Sequence, residues 1–137
     1  HGATLIDDTY NANPDSARAA IAVLVRAQGT KVLVLGDMGE LGRDAAAMHA
    51  EIGTYARNAG VTRMFTRGEL SAHATRAFGA GARHFTRIED LLAEIENALS
   101  PDVTLLVKGS RFMQMERVVK RFEAAGKEPG IPGQGHA

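Results

Sequence analysis

Five carboxylate and amide side chains crowd into one short stretch near the start of the chain. Residues 7–16 read Asp-Asp-Thr-Tyr-Asn-Ala-Asn-Pro-Asp-Ser, directly after an apolar run. Such side chains can hold hydroxyls or a metal ion, but Asp and Asn are also common turn residues because they hydrogen-bond nearby backbone groups. A helix start needs one cap, whereas this stretch supplies several candidates: Asp7, Asp8, Asn11, Asn13 and Asp15. This density favours a binding site over a turn alone.

Two later clusters add charged side chains of both signs. Residues 36–42 hold three glycines with Asp37 and Glu40, and residues 108–111 read Lys-Gly-Ser-Arg. The first cluster lacks both Gly-x-Gly-x-x-Gly and the Lys-Ser/Thr ending of a P-loop, so it is not interpreted as a phosphate cradle. Solvated ion pairing would explain Lys108 and Arg111, but exposed pairs stabilise a protein by only ~0–1 kcal/mol each. The mixture of charges instead suits a zwitterion, or a nucleotide with its metal.

Five strands alternating with helices are predicted to position these clusters. Apolar runs predict strands at residues 4–7, 32–35, 63–66, 84–86 and 103–107, and helical periodicity predicts helices at residues 15–25, 44–58, 71–78, 88–99 and 113–122. This alternation is typical of an α/β fold with an open, mostly parallel, Rossmann-like sheet flanked by helices. Each polar cluster follows the carboxyl end of a strand, so the fold predicts that all of them line one crevice.

Composition narrows the class of protein. The chain has 137 residues, enough for one domain, and its 16 basic and 16 acidic side chains cancel, so no overall field favours nucleic acid or an anionic membrane. It has no cysteine, no apolar run of membrane-spanning length and no amino-terminal signal pattern, which predicts a cytoplasmic protein. The abrupt start before a core strand suggests a piece of a longer protein, and residues 126–137 are predicted to form a disordered tail.

Three segments resemble the carboxy-terminal domain of the Mur ligases. They are residues 7–14 (Asp-Asp-Thr-Tyr-Asn-Ala-Asn-Pro), residues 35–42 (Leu-Gly-Asp-Met-Gly-Glu-Leu-Gly) with His49 after them, and residues 107–111 (Val-Lys-Gly-Ser-Arg) with Met115-Glu116 after them. The three segments occur in the order found in that family, and the resemblance covers the chain from about residue 4 to residue 122. The resemblance implies that residues 1–125 form a Mur ligase carboxy-terminal domain.

The resemblance implies an ATP-dependent amide ligase of peptidoglycan synthesis. Mur ligases convert a substrate carboxylate to an acyl phosphate, which an incoming amine then attacks. In the member that these segments match, the substrates are UDP-N-acetylmuramoyl-tripeptide and D-alanyl-D-alanine. The family keeps its P-loop and its Mg²⁺ ligands in a central domain and the UDP site in an amino-terminal one. ATP and Mg²⁺ would therefore be held mainly by the central domain. The central and amino-terminal domains are the implied partners within the same enzyme, and this domain alone is expected to be inactive.

The resemblance also implies a role for each motif residue in a domain that closes over ATP and helps to bind the dipeptide. Lys108 would act on the reacting phosphate as the catalytic residue. Contacts with the nucleotide would come from Asp7, Asp8, Tyr10, Asn11 and Asn13. Contacts with the amine substrate would come from Asp37, Met38, Glu40, Leu41, Ser110 and Arg111. No residue of this chain is implied as a metal ligand.

The two adjacent aspartates are expected to differ, because successive strand residues point to opposite sides. We expect Asp8 to turn towards the nucleotide sugar, so that its replacement leaves stability close to wild type. Asp7 should instead accept hydrogen bonds from backbone N–H groups of the turn at residues 9–13. His49 lies inside the second predicted helix, where a lone histidine is more often a hydrogen-bonded structural group than a catalyst.

Two other classes of protein remain open at this point. In a phospho-acceptor receiver domain an acidic pair, an aspartate, a threonine and a lysine follow successive strands, as Asp7-Asp8, Asp37, Thr66 and Lys108 do here. The fit is poor, because a receiver places its phosphorylated aspartate after the third strand and Asp37 follows the second. A non-catalytic interaction module with the same fold is the other alternative, since fold alone does not fix function.

Overall fold

Five strands and five α-helices alternate along the described part of the chain. A computed structural model describes residues 2–109 and 113–126. The strands are β1 (Thr4–Asp8), β2 (Thr30–Gly36), β3 (Arg63–Arg67), β4 (Ala82–Phe85) and β5 (Val103–Lys108). The helices are α1 (Pro14–Leu24), α2 (Ala45–Ala59), α3 (Ser71–Phe78), α4 (Ile88–Ala98) and α5 (Glu116–Gly126), with a 3₁₀ turn at Gly42–Asp44 before α2.

The strands form one sheet in the order β1-β5-β2-β3-β4, and all four pairings are parallel. The predicted Rossmann-like α/β fold is confirmed. The last strand in the chain, β5, lies between β1 and β2, and all six of its residues are buried. Parallel strands covered on both faces consist of continuous apolar runs, which explains the sequences of β2 and β5.

The helices cover both faces of the sheet and divide the core into two layers. Alternate residues of β2 face opposite layers: Val32 and Val34 pack with α4 and α5, whereas Leu33 and Leu35 pack with α1, α2 and α3. The strands are packed between these two layers, and because they are parallel, the carboxyl ends of β1, β2, β3 and β5 lie at one edge of the sheet.

The final helix begins later than its apolar periodicity predicts, at Glu116 and not at residue 113. Gln114 has a positive φ of 56°, a conformation that interrupts a right-handed helix. Met115 is fully buried beside Gly36 and Gly109, where a Cβ atom on either glycine would lie 3.0 Å or 2.5 Å from the Met115 Cγ atom. Met115 thus belongs to the packing between strand ends and precedes the helix.

The sheet order contradicts the receiver-domain alternative. Receiver domains have the strand order 2-1-3-4-5, which places the first strand inside the sheet. Here β1 is an edge strand and pairs with β5. Of the predicted tail, residues 127–137 lie outside the described residues, while α5 reaches Gly126. None of the described helices has the length and apolar content needed to cross a membrane.

Candidate functional site

Lys108 lies at the carboxyl end of β5 and connects two of the predicted clusters. Its Cα pairs in register with that of Asp8 on one side and that of Leu35 on the other. The Lys108 Nζ atom donates to Asp8 Oδ2 at 2.9 Å and to the Asn11 carbonyl oxygen at 2.8 Å. The Lys108 side chain is only 3% exposed, so its pairing with Asp8 is not the solvated surface ion pair weighed as an alternative in the sequence analysis. The prediction that Lys108 acts on a phosphate is not tested by this geometry.

The two aspartates separate as expected for neighbouring strand residues. Asp7 Oδ1 accepts hydrogen bonds from the Thr9 backbone N–H at 3.1 Å and from the Thr9 hydroxyl at 2.8 Å, which confirms that one carboxylate stabilises the turn. Asp8 is on the other side, and its side chain is 35% exposed. Because Asp8 also neutralises the buried Lys108, the expectation that its replacement leaves stability unchanged is corrected: Asp8 has a structural partner as well as an exposed surface.

Helix α1 begins with a complete capping box. Asn13 Oδ1 accepts from the Ser16 N–H at 2.8 Å, and Ser16 Oγ accepts from the Asn13 N–H at 3.0 Å. Pro14 occupies the first helical turn, where a missing N–H group has no cost. Asn13 is therefore the cap that the sequence predicted, and its predicted nucleotide contact remains a prediction. Tyr10, in the loop before the cap, is 75% exposed and places an aromatic ring at the surface beside Asn11.

Asp37, predicted to contact substrate, caps helix α3 in the structure. Its Oδ2 atom accepts from the Leu70 N–H at 3.1 Å and its Oδ1 atom from the Ser71 N–H at 2.7 Å. A carboxylate is favoured there by the positive end of the helix dipole. Gly68 must be a glycine for the carboxylate to fit, because its φ is +113° and an added Cβ would lie 2.3 Å from Asp37 Oδ1.

The rest of the loop after β2 is built on His49. His49 is fully buried, its Nδ1 atom is 2.7 Å from the Ala45 carbonyl oxygen, and its Nε2 atom accepts from the Met38 N–H at 2.9 Å. This pattern requires a neutral ring with the proton on Nδ1, and it confirms the structural interpretation of His49. Met38 is fully buried too, so in this structure it has no surface through which to contact a substrate as predicted.

Glu40 and Leu41 end that loop in different environments. Glu40 is exposed and has a φ of 60°, which is uncommon for a residue other than glycine. Leu41 is partly buried and packs against the core layer of α1, α2 and α3. Of the predicted substrate contacts, Glu40 is thus the one on this loop that presents a charged group to solvent. Ser110 and Arg111 lie outside the described residues.

A cleft of about 460 Å³ opens at the same edge, between the ends of β3 and β4. It is lined by Asp37, Arg67, Gly68, Glu69, His84, Thr86 and Met113. Arg67 Nε is buried without a hydrogen-bond partner among the described residues, and the Arg67 guanidinium makes no ion pair with them either. His84 Nδ1 is 2.7 Å from Thr66 Oγ1. Burial is the main reason why the pKa of His84 lies below 6.5; the Asp37 carboxylate opposes this shift and Arg76 adds to it.

The sequence interpretation missed Arg67 and His84, although the signal for Arg67 is present. Arg67-Gly68 follows β3 in the same way as Lys108-Gly109 follows β5, with a cation and then a glycine at a strand's carboxyl end. The rule that places ligands at this edge applies equally to both pairs. His84 has no comparable local signal, because β4 is short and polar.

The described residues fit part of a nucleotide. Asp8, Asn11 and Asn13 carry the oxygen and amide groups that bind hydroxyls, and the exposed Tyr10 ring can stack on a base. Beside them Lys108 is already engaged with Asp8 and Asn11, so this loop suits the sugar and the base better than the phosphates. Within the described part of the chain, no group of three or more His, Cys, Asp or Glu side chains is placed to hold a metal ion.

Comparison with known proteins agrees with this geometry. Residues 1–111 match the family model of the Mur ligase, glutamate ligase domain. The chain is 41% identical over 129 residues to the UDP-N-acetylmuramoyl-tripeptide--D-alanyl-D-alanine ligase of Escherichia coli, covering 89% of this chain and 27% of that protein. It is 37% identical to the Bacillus subtilis protein of the same name, covering 87% of this chain and 28% of that protein. The chain thus spans about a quarter of the length of these relatives.

Solved structures show the same fold at a similar coverage. The Acinetobacter baumannii protein named MurF superposes with a TM-score of 0.80 and 32% identity over 88% of this chain and 27% of that one. The Thermotoga maritima MurF ligase, solved in complex with ADP, superposes with a TM-score of 0.80 and 25% identity over 92% of this chain and 29% of that one. On these matches of sequence and fold, the chain belongs to the Mur ligase family through its glutamate ligase domain.

Proposed function

We propose that this chain works as the carboxy-terminal domain of a longer ATP-dependent ligase that joins D-alanyl-D-alanine to UDP-N-acetylmuramoyl-tripeptide. The relatives that carry this name match the chain over about a quarter of their own length. The observation that carries the proposal is the contact between Lys108 and the loop after β1, which brings two of the family's motifs together at one edge of the sheet. ATP, the proposed cofactor, is supplied in the cytoplasm, which is where we expect the ligase to act.

The proposed reaction forms one amide bond for each ATP used. The tripeptide carboxylate attacks the γ-phosphoryl group of ATP, giving an acyl phosphate and ADP. The amine of D-alanyl-D-alanine then attacks the acyl carbon, the amide forms, and inorganic phosphate leaves while the amine loses a proton. Phosphoryl transfer depends on positioning and on cations around the phosphates. Since Lys108 is engaged and no metal cluster exists among the described residues, those cations belong to other domains in this proposal.

On the nucleotide side, we propose that the loop after β1 contacts the ribose and the base. The exposed part of the Asp8 carboxylate would accept from a ribose hydroxyl, and the Tyr10 ring would lie against the base. Asn11 and Asn13 would line the same surface with their amide groups. Asp7 supports the turn from behind, because its Oδ1 atom is already bonded to Thr9.

On the amine side, we propose that the dipeptide lies near the cleft between β3 and β4. D-alanyl-D-alanine is a zwitterion, and this cleft is lined by both a cation and two carboxylates. The cation is Arg67, whose Nε atom has no hydrogen-bond partner among the described residues, and the carboxylates belong to Asp37 and Glu69. Arg67 would bind the dipeptide carboxylate, since a guanidinium donates two parallel hydrogen bonds to the two oxygens of a carboxylate. Glu40, Leu41, Ser110 and Arg111 keep their predicted contacts with this substrate, and Asp37 and Met38 would support the loop that carries Glu40.

The proposal is tested with the full-length product of the gene that encodes this chain. We expect ADP release that depends on both UDP-N-acetylmuramoyl-tripeptide and D-alanyl-D-alanine, measured by a coupled assay. The purified 137-residue chain should release no ADP under the same conditions, because it has no phosphate loop. A full-length product that folds but releases no ADP with the two substrates would contradict the proposed function.

A further inference from the structure

The environment of Lys108 differs from that of a lysine that contacts a phosphate. Its side chain is 3% exposed, and its ammonium group donates to Asp8 Oδ2 at 2.9 Å and to the Asn11 carbonyl oxygen at 2.8 Å. An ammonium group has three N–H donors, so two of them are already used inside the domain. A cation held in this way has little freedom to follow the charge of a reacting phosphate.

Both acceptors of Lys108 belong to the loop between β1 and α1. Asp8 is the last residue of β1, and Asn11 lies in the middle of the loop that leads to Pro14. The capping box of Asn13 and Ser16 fixes the far end of this loop. In the middle of the loop, Asn11 Oδ1 accepts from the Ala12 N–H at 2.8 Å and Ala12 is buried in the core. The bond from Lys108 to the Asn11 carbonyl adds to these contacts and connects this part of the loop to β5, next to the exposed Tyr10 and Asn11 side chains.

The backbone that carries Lys108 is itself fixed. Lys108 pairs in register with Asp8 and Leu35, so its Cα lies between two neighbouring strands. The next residue, Gly109, is so tightly packed that an added Cβ would lie 2.5 Å from Met115 Cγ and 3.4 Å from the Gly36 Cα. The ammonium group thus projects from a rigid support and connects the loop after β1 to the end of β5.

We propose that Lys108 is a positioning residue for nucleotide binding: it holds the Asp8 carboxylate and the Asn11 turn in the arrangement that receives the ribose and the base, and it does not contact the transferred phosphate. This inference rests on the proposed function, and it replaces the catalytic role that the family resemblance implied for Lys108. Asp8 keeps an exposed part of its carboxylate for the ligand, because only Oδ2 is bonded to the lysine.

The main test compares two nucleotides in the full-length protein by isothermal titration calorimetry. If Lys108 positions the sugar-binding loop, Lys108→Met lowers the affinity for ADP and the affinity for a non-hydrolysable ATP analogue by the same factor, on the order of tenfold. If Lys108 contacts the γ-phosphate, the ATP analogue loses affinity and ADP does not. Loss for the ATP analogue alone, or no loss for either nucleotide, overturns the proposal.

A second test asks whether Lys108 acts through Asp8. Effects of residues that act as a unit are not additive, so Lys108→Met combined with Asp8→Asn should weaken ADP binding no more than about twofold beyond the stronger single variant. The proposal would be contradicted if the loss of ADP affinity in the double variant equalled the product of the losses in the two single variants. Lys120→Met is the matched control, because Lys120 is an exposed lysine on α5 and its replacement should leave ADP binding unchanged.

Lys108→Gln guards against a variant that fails to fold. Glutamine has no charge but keeps N–H donors for Asp8 and Asn11, so it should recover most of the ADP affinity that Lys108→Met loses. In the 137-residue chain itself, hydrogen exchange of the Thr9 to Asn13 amides should be faster in Lys108→Met than in Lys108→Gln. Equal exchange in the two variants and in wild type would overturn the proposal.

The failure of the proposed function can be distinguished from the failure of this inference. Absence of ligase activity in the wild-type full-length protein would contradict only the proposed function, since these binding and exchange measurements do not depend on turnover.

Discussion

Lys108 and Arg67 are the last residues of β5 and β3, the two strands that flank β2, and each is followed by a glycine. Their environments in the folded domain are opposite. Lys108 at the end of β5 is buried and bonded to Asp8 and Asn11. Arg67 at the end of β3 lines an open cleft, and its Nε atom has no partner among the described residues. The two residues look alike in sequence, so their neighbours must cause the difference.

The register of the sheet supplies that cause. Lys108 pairs with Asp8 on β1 and Leu35 on β2, so a carboxylate lies directly beside it. Arg67 pairs with Phe85 on β4 and Gly36 on β2, neither of which can neutralise a guanidinium. A buried cation without a counter-ion is costly, whereas Arg67, although its Nε atom is buried, is partly exposed at an open cleft and so keeps part of its hydration. The difference predicts that disrupting the Lys108–Asp8 pair costs stability, whereas replacing Arg67 costs little and affects ligand binding instead.

The largest expected effect follows from removing the counter-ion of the buried lysine. Asp8→Ala in the 137-residue chain should lower the free energy of unfolding by about 3 kcal/mol, because it leaves the Lys108 ammonium buried and uncompensated. Urea denaturation measures this value. Asp15→Ala, at a fully exposed aspartate in the first turn of α1, is the control and should cost less than about 1 kcal/mol. Equal losses for the two variants would show that Asp8 and Lys108 are not coupled.

Removing the lysine should cost less than removing its partner. Lys108→Met takes away the buried charge itself, and the partly exposed Asp8 carboxylate can return to water. The remaining cost arises because the Asn11 carbonyl and Asp8 lose the hydrogen bonds donated by Lys108. We expect the free energy of unfolding to fall by about 1–2 kcal/mol in the same denaturation measurement. The comparison is therefore tested most sharply by whether Asp8→Ala loses more unfolding free energy than Lys108→Met. A reversed order would mean that the carboxylate, and not the ammonium, is the group that the fold hides from water.

Asp37 lies beside the open cleft but is bonded within the domain. Asp37→Ala should lower the free energy of unfolding by ~1–2 kcal/mol, the usual cost of losing a helix cap, because the Leu70 and Ser71 N–H groups lose their acceptor. Thermal unfolding followed by circular dichroism measures it. A shift no larger than that of Glu69→Ala, an exposed carboxylate of the same cleft, would argue that Asp37 is not a structural residue.

Arg67 should show the opposite behaviour to Lys108. Arg67→Gln removes no ion pair among the described residues, so the free energy of unfolding should change by no more than about 0.5 kcal/mol. In the full-length protein the same variant should raise the KM for D-alanyl-D-alanine and leave the ADP affinity unchanged. A large loss of stability would contradict the contrast between Arg67 and Lys108. An unchanged KM would contradict the proposal that the dipeptide binds in this cleft.

The smallest expected effect is a pH dependence carried by His84 in the same cleft. Burial lowers the pKa of His84 below 6.5, so near that pH the unfolded chain binds a proton that the folded chain does not. Stability contributed by the neutral ring is therefore present above pH 6.5 and is lost as the pH falls towards the folded-state pKa. His84→Gln should give a flatter dependence of melting temperature on pH below that value. An unchanged slope would contradict the assignment to His84.

Much of the fold could be predicted, because the information is local. The continuous apolar runs of β2 and β5 and the helical spacing of α1 and α4 identify these elements within a few residues of their observed ends. The cap at Asn13, the turn supported by Asp7 and the structural role of His49 follow from short-range hydrogen bonding. The start of α5 was misjudged because the positive φ of Gln114 depends on where Met115 packs.

The sequence by itself determined the α/β class, the three polar clusters and their place at strand ends, since periodicity and turn chemistry are properties of neighbouring residues. Only the tertiary structure decided which clusters meet. The insertion of β5 between β1 and β2 puts Lys108 in register with Asp8, a pairing 100 residues apart that no local pattern encodes. The same sheet order places Arg67 between Phe85 and Gly36, and neither of these register partners carries a carboxylate. Whether a strand-end cation is neutralised or left for a ligand is set by the strand beside it, and strand order is a property of the packed sheet.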